Sequence, residues 1–144
     1  MTAPAPIAIA RAVADTLHAA LGLLEVPVER EREGALDAHD LPRVLVYSEG
    51  VEADTDFVGG AQLRMARVTV EVADAADYAD TPGDMRDRVS TLRELVREAL
   101  LEDRTLGGAC LGLFVEQGGE PRGEASQNVK IRADTLSIMA YFAD

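Results

Sequence analysis

The sequence predicts an α+β domain spanning residues 1–144, a mostly antiparallel β-sheet of about five strands with two helices packed on it. Three observations carry this. Two segments repeat their apolar residues at helical spacing, and several others alternate at the period of a strand. The elements also run α, β, β, β, α, β, β, and strands grouped on each side of a helix argue against a doubly wound parallel sheet.

In chain order, Ile9, Val13, Leu17, then Ala20 or Leu21, and Leu24 share one helical face, while Arg11, Asp15 and His18 lie elsewhere; this helix ends near Gly22. Residues 26–30 alternate Val26 and Val28 with charge around Pro27, which suits an edge strand. Residues 31–40 are charged and read as an exposed loop. Residues 42–48 hold Val44, Leu45, Val46 and Tyr47, a short buried strand, and the acidic, turn-rich residues 51–60 read as a second loop. Over residues 61–73, Ala66, Val68, Val70 and Val72 face one way and Arg67, Thr69 and Glu71 the other, with Arg64 breaking the run; this is the long central strand.

Residues 81–104 are the best-marked element. Thr81 suits an N-cap, Pro82 takes the first helical position where a missing N–H costs nothing, and Asp84 completes the start. Met85, Val89, Leu92, Val96, Ala99 and Leu100 recur on one face, with Leu95 beside them, and the helix leaves through Thr105-Leu106-Gly107-Gly108. A lone helix of this length is marginal in water, so its stripe needs a sheet to cover. Leu111, Leu113 and Val115 form a short strand, and residues 118–123 read as the tip of a hairpin. On the return strand Val129 and Ile131 have one parity and Leu136, Ile138, Ala140 and Phe142 the other, which calls for a bulge or break near Ala133-Asp134.

Composition narrows the function. A formal net charge of −12, with Lys and Arg scattered, opposes tight binding to a phosphate backbone. One cysteine, Cys110, excludes an internal disulfide and a Cys-based zinc cluster. Residues 1–9 lack a basic n-region, and no uninterrupted run of about 18 apolar residues appears, so the expectation is a protein without a membrane span that stays where it is made.

No stretch announces a reaction. His18 reads as a surface residue on a helix, and Asp37, His39 and Asp40 sit in a charged loop without a familiar ligand spacing. Asp54, Asp56 and Gly59 resemble the start of a calcium loop, but Val58 and Met65 occupy positions where ligands belong. Gly59-Gly60 and Gly118-Gly119 open no helix and precede no Lys-Ser or Lys-Thr, so they read as turn glycines. The expectation is therefore no catalytic residue, no cofactor and no metal, with function carried by exposed loops at residues 29–40, 51–60 and 118–127.

Four segments carry a resemblance: Arg43-Val44-Leu45-Val46-Tyr47, Arg67-Val68-Thr69-Val70-Glu71-Val72, the block from Val96-Arg97-Glu98 through Thr105-Leu106-Gly107-Gly108, and the closing strand at residues 135–142. With the order of elements, they resemble the tail-terminator (tail-completion, minor tail protein U-like) family of long-tailed bacteriophages and prophages. The resemblance implies a structural virion protein, made in the host cytoplasm, that forms a ring of six at the head-proximal end of the tail tube. Its implied partners are further copies of itself, the tail-tube protein and the head–tail connector. DNA would pass through the ring unbound, which gives the acidity a purpose, since a lumen that repels phosphate lets DNA slide. The charged run Glu29-Arg30-Glu31-Arg32-Glu33 matches no family motif. The rival readings are a head-closure or connector protein of the same neck and, from another class, a small α+β enzyme with a polar pocket.

Overall fold

The computed structural model describes residues 4–34, 40–58, 61–77, 82–118, 122–126 and 129–143. Along the chain run α1 (Ala5–Leu21), a 3-10 turn (Gly22–Leu24), β1 (Val28–Arg30), β2 (Arg43–Val58), β3 (Ala61–Asp77), α2 (Pro82–Glu102), β4 (Gly112–Gln117), β5 (Arg122–Ser126) and β6 (Val129–Ala143). The strands form one sheet in the order β1-β2-β3-β6-β4, and β5 also pairs with β6. All pairings are antiparallel except that of β1 with β2, so the fold is α+β with a mostly antiparallel sheet.

One face of the sheet carries both helices. Val68, Val70 and Val72 of β3, Val44 and Val46 of β2, Ile138 and Ala140 of β6 and Leu113 of β4 are buried there. Against them α1 sets Ile9, Val13, Leu17 and Leu21, and α2 sets Val89, Leu92, Val96 and Leu100, the stripes their spacing predicts. Each such side chain taken out of water stabilises the fold by about 1.5–3 kcal/mol. Leu24, expected on the α1 face, is exposed instead: the helix tightens into the 3-10 turn at Gly22, and that change of period rotates Leu24 off the stripe. Thr81 lies outside the described residues.

α1 with its 3-10 turn is a 20-residue segment of mean hydropathy 1.5, long and apolar enough by those measures to cross a membrane. That departs from the expectation drawn from uninterrupted runs, because a window average tolerates Arg11 and Asp15. Its Ile9, Val13 and Leu17 are spent on the core.

The end of α2 is held by its own sequence. The Asp103 carboxylate accepts hydrogen bonds from the Thr105 N–H (3.1 Å), the Thr105 hydroxyl (2.8 Å) and the Gly107 N–H (2.8 Å). Leu106, Gly107 and Gly108 all take positive φ, and Leu106, unusual for a non-glycine residue there, is anchored by burial.

Three expectations about the strands are corrected. Residues 51–58 belong to β2 and pair with β3 from Val51 opposite Ala66 to Val58 opposite Ala61; register shifts at Ser48/Gly50 and Ala53/Phe57 break up the strand pattern and leave a segment that reads as a loop. Of the hairpin tip expected at residues 118–123, residues 119–121 lie outside the described residues. Arg122 and Gly123 belong instead to a strand, Arg122–Ser126, that pairs antiparallel with β6 from Arg122 opposite Ala133 to Ser126 opposite Val129. β6 itself is continuous along β3 from Val129 opposite Asp77 to Ala143 opposite Leu63. The interruption lies on its other side, where the register slips between Gln117 opposite Leu136 and Arg122 opposite Ala133.

The charged run after β1 also acquires a structural role. Glu29 lies 2.9 Å from Arg32 and 3.1 Å from Arg43, and Arg32 also reaches Asp40 at 3.0 Å. Glu31, at positive φ, donates its N–H to the Val46 carbonyl and accepts from the Ser48 N–H at 2.6 Å. The segment expected to be a solvated loop is thus tied to the sheet where β1 ends.

The Arg32 hydrogen bond, with the charges of Arg32 and Arg43, holds the Glu29 carboxyl below its ordinary range, and hydrogen bonds from Thr105 and Gly107 do the same for Asp103. A depressed folded-state pKa contributes stability that is present above the unfolded value, about 4, and lost as pH falls through the folded one. Thermal unfolding followed by circular dichroism should therefore be level from neutral pH down to about pH 5 and fall below about pH 4. Glu29→Gln should make that fall shallower at a cost of under about 1 kcal/mol at neutral pH, since the pair is only partly buried and solvent screens it; an unchanged profile would count against the network.

Candidate functional site

The described residues that sequence reasoning weighed for chemistry are scattered. His18 is exposed in the last turn of α1. Asp40 is engaged with Arg32, while Asp37 and His39 lie outside the described residues. Asp54 and Asp56 fall within β2, in the stretch between Ala53 and Phe57 where its register with β3 shifts, and Met65 is buried. Among the described residues no group of three or more His, Cys, Asp or Glu is placed to hold a metal ion. Cys110 is buried and its Sγ donates to the Arg104 carbonyl at 3.5 Å; burial pushes the thiol up, which keeps it protonated and a poor nucleophile at neutral pH.

Gly118 has a packing role rather than a turn role. Its N–H donates to the Thr135 carbonyl at 2.8 Å, and a Cβ at this position would overlap the Thr135 side chain. The close approach of two backbones requires the missing side chain. Gly59, Gly60 and Gly119 lie outside the described residues.

What the fold does present is surface. Beside α2 runs a groove of about 480 Å³, lined by Leu24, Val26, Pro42, Leu92 and Leu95 with Asp74, Asp87, Arg88 and Thr91. It forms because α1 ends in a 3-10 turn that turns Leu24 outward beside the first half of α2. Arg88, one of the lining residues, lies 3.4 Å from Asp74 and donates to the Ala75 carbonyl at 3.3 Å. Asp74 and Arg88 thus engage one another, and Leu24, Val26, Pro42, Leu92 and Leu95 supply the apolar part of the lining.

On the other side of the sheet, β4 pairs with β6 alone among the described residues. Leu111 and Phe114 stand out beside that edge, with the Phe114 ring edge-on to Tyr141 at 5.8 Å between centroids. The sheet face away from the helices holds Phe114, Tyr141, Met139 and Arg67, the last donating to the Ser137 hydroxyl at 3.2 Å. Sequence reasoning looked for contact surfaces in loops and missed these. Phe114 was legible as the out-of-phase aromatic in an alternating strand; the groove was not, since it depends on where α1 stops.

Compared with known proteins, the chain matches no family model and no curated sequence.

Proposed function

We propose that this chain is a structural protein of the tail-terminator kind: a ring-forming subunit that closes the head-proximal end of a phage tail tube and offers a surface for head joining. The observation that carries the reading is the placement of the four segments on which the resemblance rests. They fall on β2, β3 and β6, three adjacent strands of the sheet, and on the half of α2 that seats Val96 and Leu100 on it together with its Asp103-capped exit. These segments thus form one packed unit, which supports reading them together. Apolar side chains exposed on two separate sides of the molecule suit a subunit that works through contacts with its neighbours.

The reading is tested on particles and on the purified protein. Without this gene product, tails should grow to irregular lengths and fail to join heads, and negative-stain images of the protein should show rings with an open centre. Full-length, regular tails that merely lack heads would transfer the assignment to the connector side of the neck. Normal particles would end the proposal.

A further inference from the structure

We propose that the hollow beside α2 is a docking groove for a cationic amphipathic helix of another protein. Such a helix seats apolar side chains on Leu24 and Leu95 and meets Asp87, Glu94 and Glu98 with Lys or Arg. The inference goes beyond the ring reading, since the groove belongs to a single subunit and is present whether or not subunits assemble.

The first observation is continuity. A second hollow, of about 360 Å³ and lined by Ser90, Thr91, Glu94, Leu95 and Glu98, adjoins the groove of about 480 Å³, and Thr91 and Leu95 line both. Together they follow α2 from Asp87 to Glu98, a run of about 16 Å at about 1.5 Å per residue. An amphipathic helix of about three turns matches that run, with anchors at i, i+3 or i+4 and i+7. Leu24 and Leu95, 55% and 38% exposed, are apolar side chains left for those anchors to cover.

The second observation is charge. Asp74, Asp87, Glu94 and Glu98 line the two hollows, against Arg88 as the cation of the lining, and Arg88 is engaged with Asp74. Glu94 has Arg93 at 3.8 Å, but that arginine donates to the buried Asp134 and lines neither hollow. Asp87 and Glu98 are exposed and have no ion pair among the described residues. At about 100° per residue, Arg86, Arg93 and Arg97 fall together on the side of α2 opposite Leu95. The helix thus sorts its charge, anionic beside the groove and cationic away from it. Such a lining repels a nucleic-acid backbone, an anionic membrane and a second copy of a chain whose net charge is −12, and it attracts a segment bearing Lys or Arg.

The third observation separates a helix from an extended peptide. β1 begins two residues after Val26 but contributes no residue to either hollow. A segment lying here is offered no strand edge, so it must satisfy its own backbone N–H and C=O groups, as a helix does.

The probe is a fluorescein-labelled, amidated peptide of about 14 residues, with Leu recurring at helical spacing and Lys flanking each Leu. Two controls keep its length: one exchanges Lys for Glu, and the other scrambles the order so that the leucines no longer share a face. Fluorescence anisotropy against the full chain should show saturable one-to-one binding of the probe, and binding at least about tenfold weaker for each control. Leu95→Asn and Leu24→Asn, which leave the charge unchanged, should each weaken the probe about tenfold. The triple variant Asp87→Asn, Glu94→Gln, Glu98→Gln should do the same and flatten the salt dependence of binding. All five side chains are exposed, so the variants should keep the wild-type circular dichroism spectrum, and Leu24→Asn serves if Leu95→Asn disturbs α2. Equal binding of the scrambled peptide would mean a diffuse acidic surface and overturn the proposal. So would probe binding that is unchanged in both leucine variants, or absent at millimolar protein. Self-association of the wild type that Leu95→Asn abolishes and the probe does not displace would give the groove to a second copy and overturn it as well. None of these results alters tail length in particles, which decides the ring reading separately.

Discussion

Replacing Arg93 by Ala is expected to cost about 3–5 kcal/mol of folding stability, the range for stranding a buried charge by removing its partner. Asp134 is only 3% exposed and lies on the helix-covered side of β6, in line with Leu136 and Ile138. Arg93, from α2, donates to its Oδ2 at 3.1 Å. Its Oδ1 faces the Arg132 Nε at 3.6 Å, too far for a hydrogen bond, and neither atom has another partner. Without Arg93 the carboxylate would stay under the helix with no hydrogen bond and a single distant cation. Asp134→Ala should cost less, because Arg93 and Arg132 are each partly exposed and can turn to water. Joining Arg93→Met to Asp134→Leu should recover most of the loss, since a buried ion pair often contributes little over a well-packed apolar pair. Urea midpoints with an unchanged slope measure all three. A single Arg93→Ala variant within about 0.5 kcal/mol of wild type would show that α2 is held by its apolar stripe alone.

The same pair shows what the sequence makes legible and what it hides. The stripe Val89, Leu92, Val96, Leu100 declares that α2 covers a sheet, and the alternation of Val68, Val70 and Val72 declares which face it covers, because both follow from periods of 3.6 and 2. Arg93 and Asp134 are 41 residues apart and belong to no pattern. Asp134 looked like the point where the buried parity of β6 changes, and a local bulge was the natural inference. The strand instead stays in register along β3, and the carboxylate is tolerated on the buried side because a helix supplies its counter-charge.

Candidate surfaces were less legible than the fold for a related reason. A loop declares itself by composition, and residues 51–60 have the acidity and glycines of one, yet they lie largely in β2, paired across the hairpin to β3. Backbone pairing asks little of composition once a neighbouring strand is in place, so a polar segment continues a ribbon begun by Val44–Tyr47. The run Glu29-Arg30-Glu31-Arg32-Glu33 misled in the same direction: its charges look made for solvent, and their partners, Arg43, Asp40 and the Ser48 amide, lie well along the chain. The groove and the β4 edge depend on which strand ends up outermost, a property of the whole sheet order.

Gly118→Val is the second large effect, with an expected loss of about 3 kcal/mol, at the upper end of what overpacking costs. At Gly118 the β4 side leaves its register with β6, and the strand passes so close to Thr135 that a Cβ would lie 2.8 Å from the Thr135 Cβ and 3.0 Å from its backbone carbon. A rotamer change of Thr135 relieves only the hydroxyl contact; the backbone carbon cannot move without dragging β6, whose neighbours Asp134 and Leu136 are both buried. Gly118→Ala meets the same atoms and should lose somewhat less. Thr135→Gly in the Gly118→Val background should restore part of the loss, since it removes the side-chain overlap and leaves the backbone contact. Should Gly118→Val unfold at the wild-type urea midpoint, the slip in register between β4 and β5 would have to be soft enough to absorb a side chain. The β4 edge would then be a less rigid platform for Phe114 than its hydrogen bonds to β6 imply.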